Sequence, residues 1–124
     1  MSAQPAARPW PTDLEFDRKA HLLRIAFDDG AQFEIPFELL RIESPSAENK
    51  GHSATPLPPP TGKANVNVTR ADAVGRYAVR ISFDDGHNTG LYSWDLLYDL
   101  GREKDERLRV YRETLAQRAL RDEA

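Results

Sequence analysis

The chain of 124 residues has a formal net charge of -3 and no cysteine, and its length suits one domain with a modest core. The lack of cysteine excludes disulfides, a cysteine nucleophile and thiolate-bound metals, and the negative charge disfavours a general attraction to nucleic acid. No apolar run approaches the roughly 20 residues of a membrane span, and the N-terminus lacks the apolar core of a signal peptide, so we expect a cytoplasmic protein with no membrane association.

Residues 1–12 contain three prolines and little periodicity, and we interpret them as a flexible tail that Trp10 pins. Apolar residues then alternate with polar ones on both sides of an Asp-Asp-Gly phrase, which predicts a β-hairpin. Pro36 ends the last strand and suits the start of a short helix. The alternating apolar positions are Leu14, Phe16, Leu23, Ile25, Phe27, Phe33 and Ile35.

The segment from residue 44 to residue 62 contains five prolines and two glycines and is the longest irregular stretch of the chain. Pro58 to Pro60 favour extended, polyproline-like backbone. A stretch of this length inside a small domain is uncommon unless it has a role. Two interpretations remain open, a functional segment and a surface connection without a ligand.

A second alternating run follows, which begins with Val66 and Val68 and leads to a second Asp-Asp-Gly phrase. A short return strand from Gly90 to Tyr92 comes next. Ser93 is a good N-cap for the helix after it, and we expect Gly101 to end that helix. The inward-facing positions of the run are predicted to be Tyr77, Val79, Ile81 and Phe83.

A last helix is predicted from Arg102 to Leu120, and we divide the chain into a tail (1–12), a domain (13–101) and a C-terminal helix (102–124). The apolar stripe of this helix is predicted to consist of Leu108, Tyr111, Leu115 and Ala119. Its i,i+4 ion pairs are predicted to be Glu103 with Arg107 and Asp105 with Arg109.

The phrase Phe-Asp-Asp-Gly occurs twice, at 27–30 and at 83–86. Each copy is predicted to form a strand, a tight turn, a strand and a short helix, because Asp-Gly supplies the positive φ of a two-residue hairpin turn. Two such units predict an α+β fold of two layers, with a mostly antiparallel sheet and a C-terminal helix. Internal duplication and the reuse of a favourable turn phrase both remain open.

Residues with distinctive chemistry are few, and the three histidines are the first candidates. His21 stands at the start of a strand, where we expect it to be solvated. The aspartates at 84–85 with His52 and His87 make a metal or acid–base site if the long segment folds onto the second hairpin. Alternatively, the aspartates cap backbone N–H groups and the turn histidine bonds a neighbouring carbonyl group.

Two other motifs are weaker. The Gly-Lys pair at 62–63 lacks the glycine spacing and the following hydroxyl residue of a P-loop. Four aromatic residues are expected in the core or at its edge rather than in a base-stacking platform. They are Tyr77, Tyr92, Trp94 and Tyr98.

Four phrases of the chain form a specific pattern: the first FDDG phrase, LLRIESPSAENKGH, the Gly-Lys pair at 62–63, and VGRYAVRISFDDGHNTGLYSWDLLYDLG. Together they resemble the gamma-butyrobetaine hydroxylase-like N-terminal domain family over about residues 12–101. In this family the domain occurs alone in bacteria as a small protein of unknown function. It also precedes the Fe(II)/2-oxoglutarate dioxygenase domain of carnitine biosynthesis enzymes, and it is appended to some Mrp-like P-loop iron–sulfur carrier proteins.

The resemblance does not imply hydroxylase activity, because that chemistry belongs to a separate barrel with an H-x-D pair, which this chain lacks. In the dioxygenases this domain holds zinc with three cysteines and one histidine. Ser44, Ser46 and Asn49 stand at the cysteine positions here, and His87 stands at the histidine position. Because hydroxyl and amide groups are poor zinc ligands, the resemblance implies a zinc site of which only His87 remains. Serine hydrogen bonds to the backbone are expected to replace the metal.

We therefore expect a non-catalytic binding or adaptor module, without a cofactor, whose partner is a protein. The resemblance links that partner to iron–sulfur or 2-oxoglutarate oxygenase systems. The alternative is a small metal-binding protein using His52, His87 and a nearby carboxylate, and a third hypothesis is nucleic-acid binding through the arginine-bearing strand face. The oligomeric state stays open. The predicted binding residues are Ser44, Ser46, Glu48, His52, Asp85, His87 and Tyr92.

Overall fold

The computed structural model describes residues 9–45 and 62–123, with side chains through residue 119. Within these ranges the chain forms two antiparallel sheets of three strands each, and three helices. The first unit consists of β1 (Pro11–Asp17), β2 (Leu22–Phe27), β3 (Gln32–Pro36) and α1 (Phe37–Ile42). The second consists of β4 (Val68–Val74), β5 (Ala78–Phe83), β6 (Gly90–Ser93) and α2 (Trp94–Arg102), and α3 (Lys104–Glu123) follows it. The predicted α+β class with two hairpin-plus-helix units and a C-terminal helix is confirmed.

The two Asp-Asp-Gly turns have the same backbone. The N–H of Phe27 donates to the carbonyl of Ala31 (2.9 Å), and the N–H of Phe83 donates to the carbonyl of His87 (2.9 Å). Three residues therefore lie inside each turn, where the sequence predicted two. Gly30 and Gly86 adopt φ of 92° and 93°, which a residue with a Cβ rarely adopts, and a glycine in this conformation is what closes a three-residue hairpin.

The alternation of β2 and β5 builds one shared core. The inward side chains of both strands are buried, while Arg24 and Arg80 face outward. Burial of each large apolar side chain contributes roughly 1.5–3 kcal/mol, and both units supply such residues to a single cluster. The buried residues of that cluster are Leu23, Ile25, Phe27, Ile35, Phe37, Leu39, Leu40, Val66, Val68, Val79, Ile81, Phe83, Tyr92, Leu97 and Leu100.

Strand β1 includes the last two residues of the predicted tail, and the predicted pin at Trp10 is present. Strand β1 begins at Pro11, and Trp10 is already bonded to the first turn. Its N–H donates to Asp28 Oδ1 (3.1 Å), and its carbonyl accepts the N–H of Asp28 (2.8 Å). Residues 10–12 therefore belong to the first sheet and its turn.

The exposure of Tyr77 and of His21 differs from the prediction. Tyr77 precedes β5 instead of lying within it, and 69% of its surface is exposed beside the ring of Trp10 (centroids 6.0 Å apart). His21 is half-buried rather than solvated, with φ of 57°. Its Nδ1 lies 3.1 Å from the carbonyl oxygen of Val66, so the ring joins the first unit to the start of the second.

Gly101 does not end α2, contrary to the prediction. The helix continues to Arg102, and the chain leaves helical geometry at Glu103, whose φ and ψ are -106° and 17°. A Cβ at position 101 would lie 2.3 Å from Cγ of Phe33. Glycine is required here because the helix packs closely on that ring, which is a different demand from helix termination.

Helix α3 is joined to the first unit by ion pairs, one of which links Arg112 to Glu38 of α1 (3.1 Å). Arg107 pairs with Glu43 (3.1 Å) and with Glu103 (2.9 Å), the latter as predicted. The predicted Asp105–Arg109 pair is wrong, because Arg109 binds Glu106 and Glu113 instead. The predicted stripe holds at Tyr111, which is buried, and fails at Ala119, which is exposed. No helix among the described residues is long and apolar enough to cross a membrane.

Candidate functional site

Four of the predicted binding residues lie together at the second hairpin. Ser44 comes directly after α1, Asp85 and His87 belong to the turn after β5, and Tyr92 lies on β6. The Oγ atom of Ser44 lies 2.8 Å from Nε2 of His87. We call this contact, with the hairpin residues that frame it, the Ser44–His87 junction. It connects the end of the first unit to the turn of the second.

Ser44 is held in a buried position. It is 3% exposed. A hydroxyl group at such a position requires hydrogen bonds to offset its desolvation. Gly90 makes the close approach possible, because a Cβ there would lie 2.4 Å from the Ser44 Oγ atom. The junction is therefore a fitted contact between β6 and the segment after α1.

Asp85 is enclosed by two cations. Its Oδ2 atom accepts hydrogen bonds from Arg41 Nε (2.8 Å) and Lys63 Nζ (2.6 Å), and its Oδ1 accepts the backbone N–H of His87 (3.0 Å). Burial alone would raise the pKa of Asp85, but the hydrogen bonds from Lys63, His87 and Arg41 outweigh it and hold this pKa well below its ordinary value. Asp85 is therefore a fixed anion at neutral pH.

Tyr92 supports the junction from inside the core. It is fully buried, and its hydroxyl group donates to the carbonyl oxygen of Leu40. Burial raises the pKa of Tyr92 above its ordinary value, and this outweighs the opposing hydrogen bond with Ser44. The phenol therefore stays protonated and acts as a donor that ties β6 to α1.

Arg41 and Lys63 were not predicted as site residues. Lys63 entered the sequence analysis only as part of the Gly-Lys pair, and Arg41 follows Leu39 and Leu40 without a local signal for its role. Both flank the long irregular segment in the sequence, and both bind the same carboxylate oxygen. The sequence feature that could have identified them is a basic residue on each side of the irregular segment, together with an acidic turn later in the chain.

The arrangement does not form a catalytic Ser-His-Asp triad. In a triad the carboxylate orients the imidazole ring, and the serine oxygen must reach a substrate. Here both oxygens of Asp85 are engaged by the backbone of His87 and by Arg41 and Lys63. Ser44 is buried. The geometry suits a structural role, in which these side chains hold the segment after α1 against the turn after β5.

The remaining predicted site residues lie outside the described residues. They are Ser46, Glu48 and His52, together with Asn49 of the degenerate zinc set. Within residues 9–45 and 62–123 no three histidine, aspartate or glutamate side chains converge as metal ligands. The metal hypothesis depends on His52, so its geometry stays untested. His21 bonds Val66 and takes no part in the junction contacts.

The comparisons with known proteins agree with this fold. The family model described as "Gamma-butyrobetaine hydroxylase-like, N-terminal" matches residues 14–98. One protein solved by NMR in solution is 44% identical, with a TM-score of 0.78 over 96% of this chain and 88% of that chain. A second NMR structure is 35% identical, with a TM-score of 0.77 over 90% and 87% of the two chains.

A crystal structure from Acidithiobacillus ferrooxidans ATCC 23270 is also similar. It is described as a protein with unknown function of the DUF971 family. It is 33% identical, with a TM-score of 0.60 over 73% of this chain and 91% of that chain. No curated protein matches the chain.

Proposed function

The chain belongs to the gamma-butyrobetaine hydroxylase-like N-terminal family, and on that premise we propose that it is a non-catalytic binding or adaptor module whose partner is a protein. The observation that carries the proposal is the Ser44–His87 junction. At two positions that the resemblance equates with zinc ligands, Ser44 and His87 contact each other through their side chains at 2.8 Å, where a serine hydrogen bond to the backbone was expected.

The second hairpin anchors both ends of the segment that separates the two units. Ser44 contacts His87 on one side of residues 46–61, and Lys63 binds Asp85 on the other side. Binding residues are often carried by irregular segments that a rigid scaffold positions. The double anchoring supports a contact surface made of this segment and the hairpin, and we propose Glu48, His52 and His87 as its contacting residues.

The state of the polar groups supports a non-catalytic role. An acid–base catalyst needs a pKa near the working pH, whereas Asp85 has a strongly lowered pKa and Tyr92 a raised one. A serine nucleophile needs access to its substrate, and Ser44 is buried. These groups maintain structure, which suits a scaffold for binding.

The resemblance to domains fused with other proteins supports the choice of partner. We propose a protein of iron–sulfur or 2-oxoglutarate oxygenase systems in the cytoplasm of a bacterium. The module itself is proposed to need no cofactor. Net charge of -3 makes a nucleic-acid partner less favourable than a protein partner.

The test is affinity purification from the native cell with matched variants of the two hairpins. His87→Ala and Glu48→Lys change the proposed surface, and Asp29→Asn changes the first hairpin as the control. We expect a specific partner to be retained by the wild type and by Asp29→Asn and to be lost with both other variants. Circular dichroism checks that each variant is folded.

An identical set of partners for all four proteins would contradict the proposed surface. Metal content separates the metal hypothesis from the adaptor. Stoichiometric zinc in protein purified without added metal, lost in both His52→Ala and His87→Ala, would replace the adaptor proposal with a metal-binding function.

A further inference from the structure

The outer faces of the two sheets carry an arginine at equivalent positions, Arg24 on β2 and Arg80 on β5. In the first sheet, Arg24 lies between Glu15 on β1 and Glu34 on β3 in the strand register. Three carboxylates surround it, with oxygens of Asp17, Glu34 and Glu15 at 2.6, 3.4 and 3.7 Å from its nitrogens. The charge of Arg24 is therefore compensated within its own face.

In the second sheet the equivalent arginine, Arg80, has different neighbours. Arg80 lies between Asp72 on β4 and Leu91 on β6 in the register. Asp72 is bound by Arg70, whose Nε lies 3.0 and 2.8 Å from its two carboxylate oxygens. Leu91 stands where the first sheet has Glu34. Within the described part of the chain, Arg80 makes no ion pair.

The surroundings of Arg80 form a depression of about 540 Å³. Ser82, Asn88 and Thr89 line it with hydrogen-bonding groups, and Leu91, which is 42% exposed, adds an apolar wall. A guanidinium group presents a planar fork of donors that matches a carboxylate. The Arg70–Asp72 ion pair also lines the depression. The depression thus combines this ion pair and the further charge of Arg80 with neutral polar groups and an apolar contact.

We propose that this face binds an acidic peptide segment of a partner protein, with Arg80 bound to a carboxylate side chain of that segment. The site lies on the outer face of the second sheet and does not include Ser44, Asp85 or His87. It is therefore a second surface that goes beyond the hairpin surface proposed above, and either surface can fail alone in a test.

A peptide fits the charge of this face better than a nucleic acid does. Arg70 is already bonded to Asp72, so Arg80 supplies one uncompensated charge. Nucleic-acid binding relies on several phosphate contacts and is opposed by a chain of net charge -3. A carboxylate held by one arginine and nearby neutral donors requires no further cations.

The test is an NMR titration of the full ¹⁵N-labelled chain with a capped hexapeptide of alternating glutamate and serine. A peptide with glutamine in place of glutamate is the ligand control. We expect amide shifts around Arg80 on β4, β5 and β6 with the acidic peptide alone. Arg80→Ala should weaken binding about tenfold or more, as loss of a charged hydrogen bond does. Arg24→Ala, at the compensated equivalent position, should leave binding unchanged.

Several results would overturn the site. Equal binding by Arg80→Ala and wild type would exclude Arg80 as the anchor, and equal binding of the glutamine peptide would exclude carboxylate recognition. Tighter binding of a single-stranded oligonucleotide at the same residues would assign the face to nucleic acid instead. Arg80→Lys, which keeps the charge but loses the fork, should bind with intermediate affinity.

Discussion

The turn of the first hairpin (28–30) and the turn of the second (84–86) share their internal hydrogen bonds but hold different neighbours. Asp29 accepts the N–H of Ala31 at 2.9 Å, and Asp85 accepts the N–H of His87 at 3.0 Å. The strand register also shifts at corresponding places, between Pro11 and Asp13 and between Val68 and Arg70. An equivalence that extends this far from the turn favours internal duplication over reuse of a turn phrase.

Each helix reaches across to the turn of the other unit. Tyr98 of α2 donates to Asp29 at 2.7 Å, and Arg41 of α1 donates to Asp85 at 2.8 Å. Tyr98 and Arg41 are each the fifth residue of their helix. The contacts are reciprocal, as in a pairing of two like units around a two-fold relation.

The two interfaces differ in chemistry. Around the first turn the ring of Tyr98 packs edge-to-face on Phe27 and Phe33, with centroids 5.0 and 5.2 Å apart. Around the second turn the corresponding space holds Ser44 and His87. One interface is therefore a conventional aromatic contact and the other a polar junction, and the same backbone supports both.

The largest expected effect comes from breaking the aromatic interface. Gly101→Leu places a Cβ 2.3 Å from Cγ of Phe33, and such overpacking should lower the free energy of unfolding by about 3 kcal/mol. Urea denaturation measures the change. The double variant with Phe33→Gly, which copies the small residue Gly90 of the other interface, should recover part of the loss. If the losses in free energy of unfolding of the two single variants simply add in the double variant, the clash is not with Phe33.

A smaller effect should distinguish the two turn carboxylates. Asp85→Asn removes the anion that binds Arg41 and Lys63, and it should cost about 2 kcal/mol because hydrogen bonds between charged groups are the stronger ones. Asp29→Asn replaces the oxygen that accepts the neutral Tyr98 hydroxyl, so a smaller loss than for Asp85→Asn is expected. Chemical denaturation of both variants at pH 7 makes the comparison. Equal losses would mean that the two cations add nothing to the second turn.

Lowering the pH should reduce the stability of the wild type more than that of the Asp85→Asn variant. The folded-state pKa of Asp85 lies below its unfolded value, so its contribution is complete above about pH 4–5 and is lost as the pH falls toward the folded pKa. Thermal unfolding between pH 7 and pH 2 should show the stability gap between wild type and Asp85→Asn narrowing by at least about 1 kcal/mol. A gap that stays constant with pH would contradict this assignment of the lowered pKa.

The smallest expected effect is the coupling within the Ser44–His87 junction. Ser44→Ala, His87→Ala and the double variant form a thermodynamic cycle, and we expect a coupling energy of about 1 kcal/mol for one hydrogen bond of a buried hydroxyl group. Denaturant titration of the wild type and the three variants measures this coupling energy. If the single losses simply add up in the double variant, the two side chains do not stabilise each other.

The sequence predicted the local features of the fold because short-range patterns cause them. Alternation set the inward faces of β2 and β5, the turn glycines supplied positive φ, and Ser93 caps α2 by accepting the N–H of Leu96 at 3.1 Å. These effects act within a few residues of each other, so they can be recognised without knowledge of the tertiary structure.

The rest required three-dimensional contacts. Gly101 carries the same local signal as a helix end, and only the ring of Phe33 explains why it is glycine. The Arg41–Asp85 bond joins residues separated by 44 positions. For Arg109, glutamates at i-3 and i+4 compete with the predicted partner at i-4, and the energies of such surface pairs differ too little for sequence to choose.

The shared core also means that the two units of one chain pack against each other as the two subunits of a dimer do. Both sheets contribute their apolar faces to one cluster, so neither half can separate without exposing its inner face to water. A chain cut between residues 46 and 61 would turn this internal pairing into a bimolecular one, with stability that depends on concentration. The segment that connects the units thus raises the effective concentration of each half for the other.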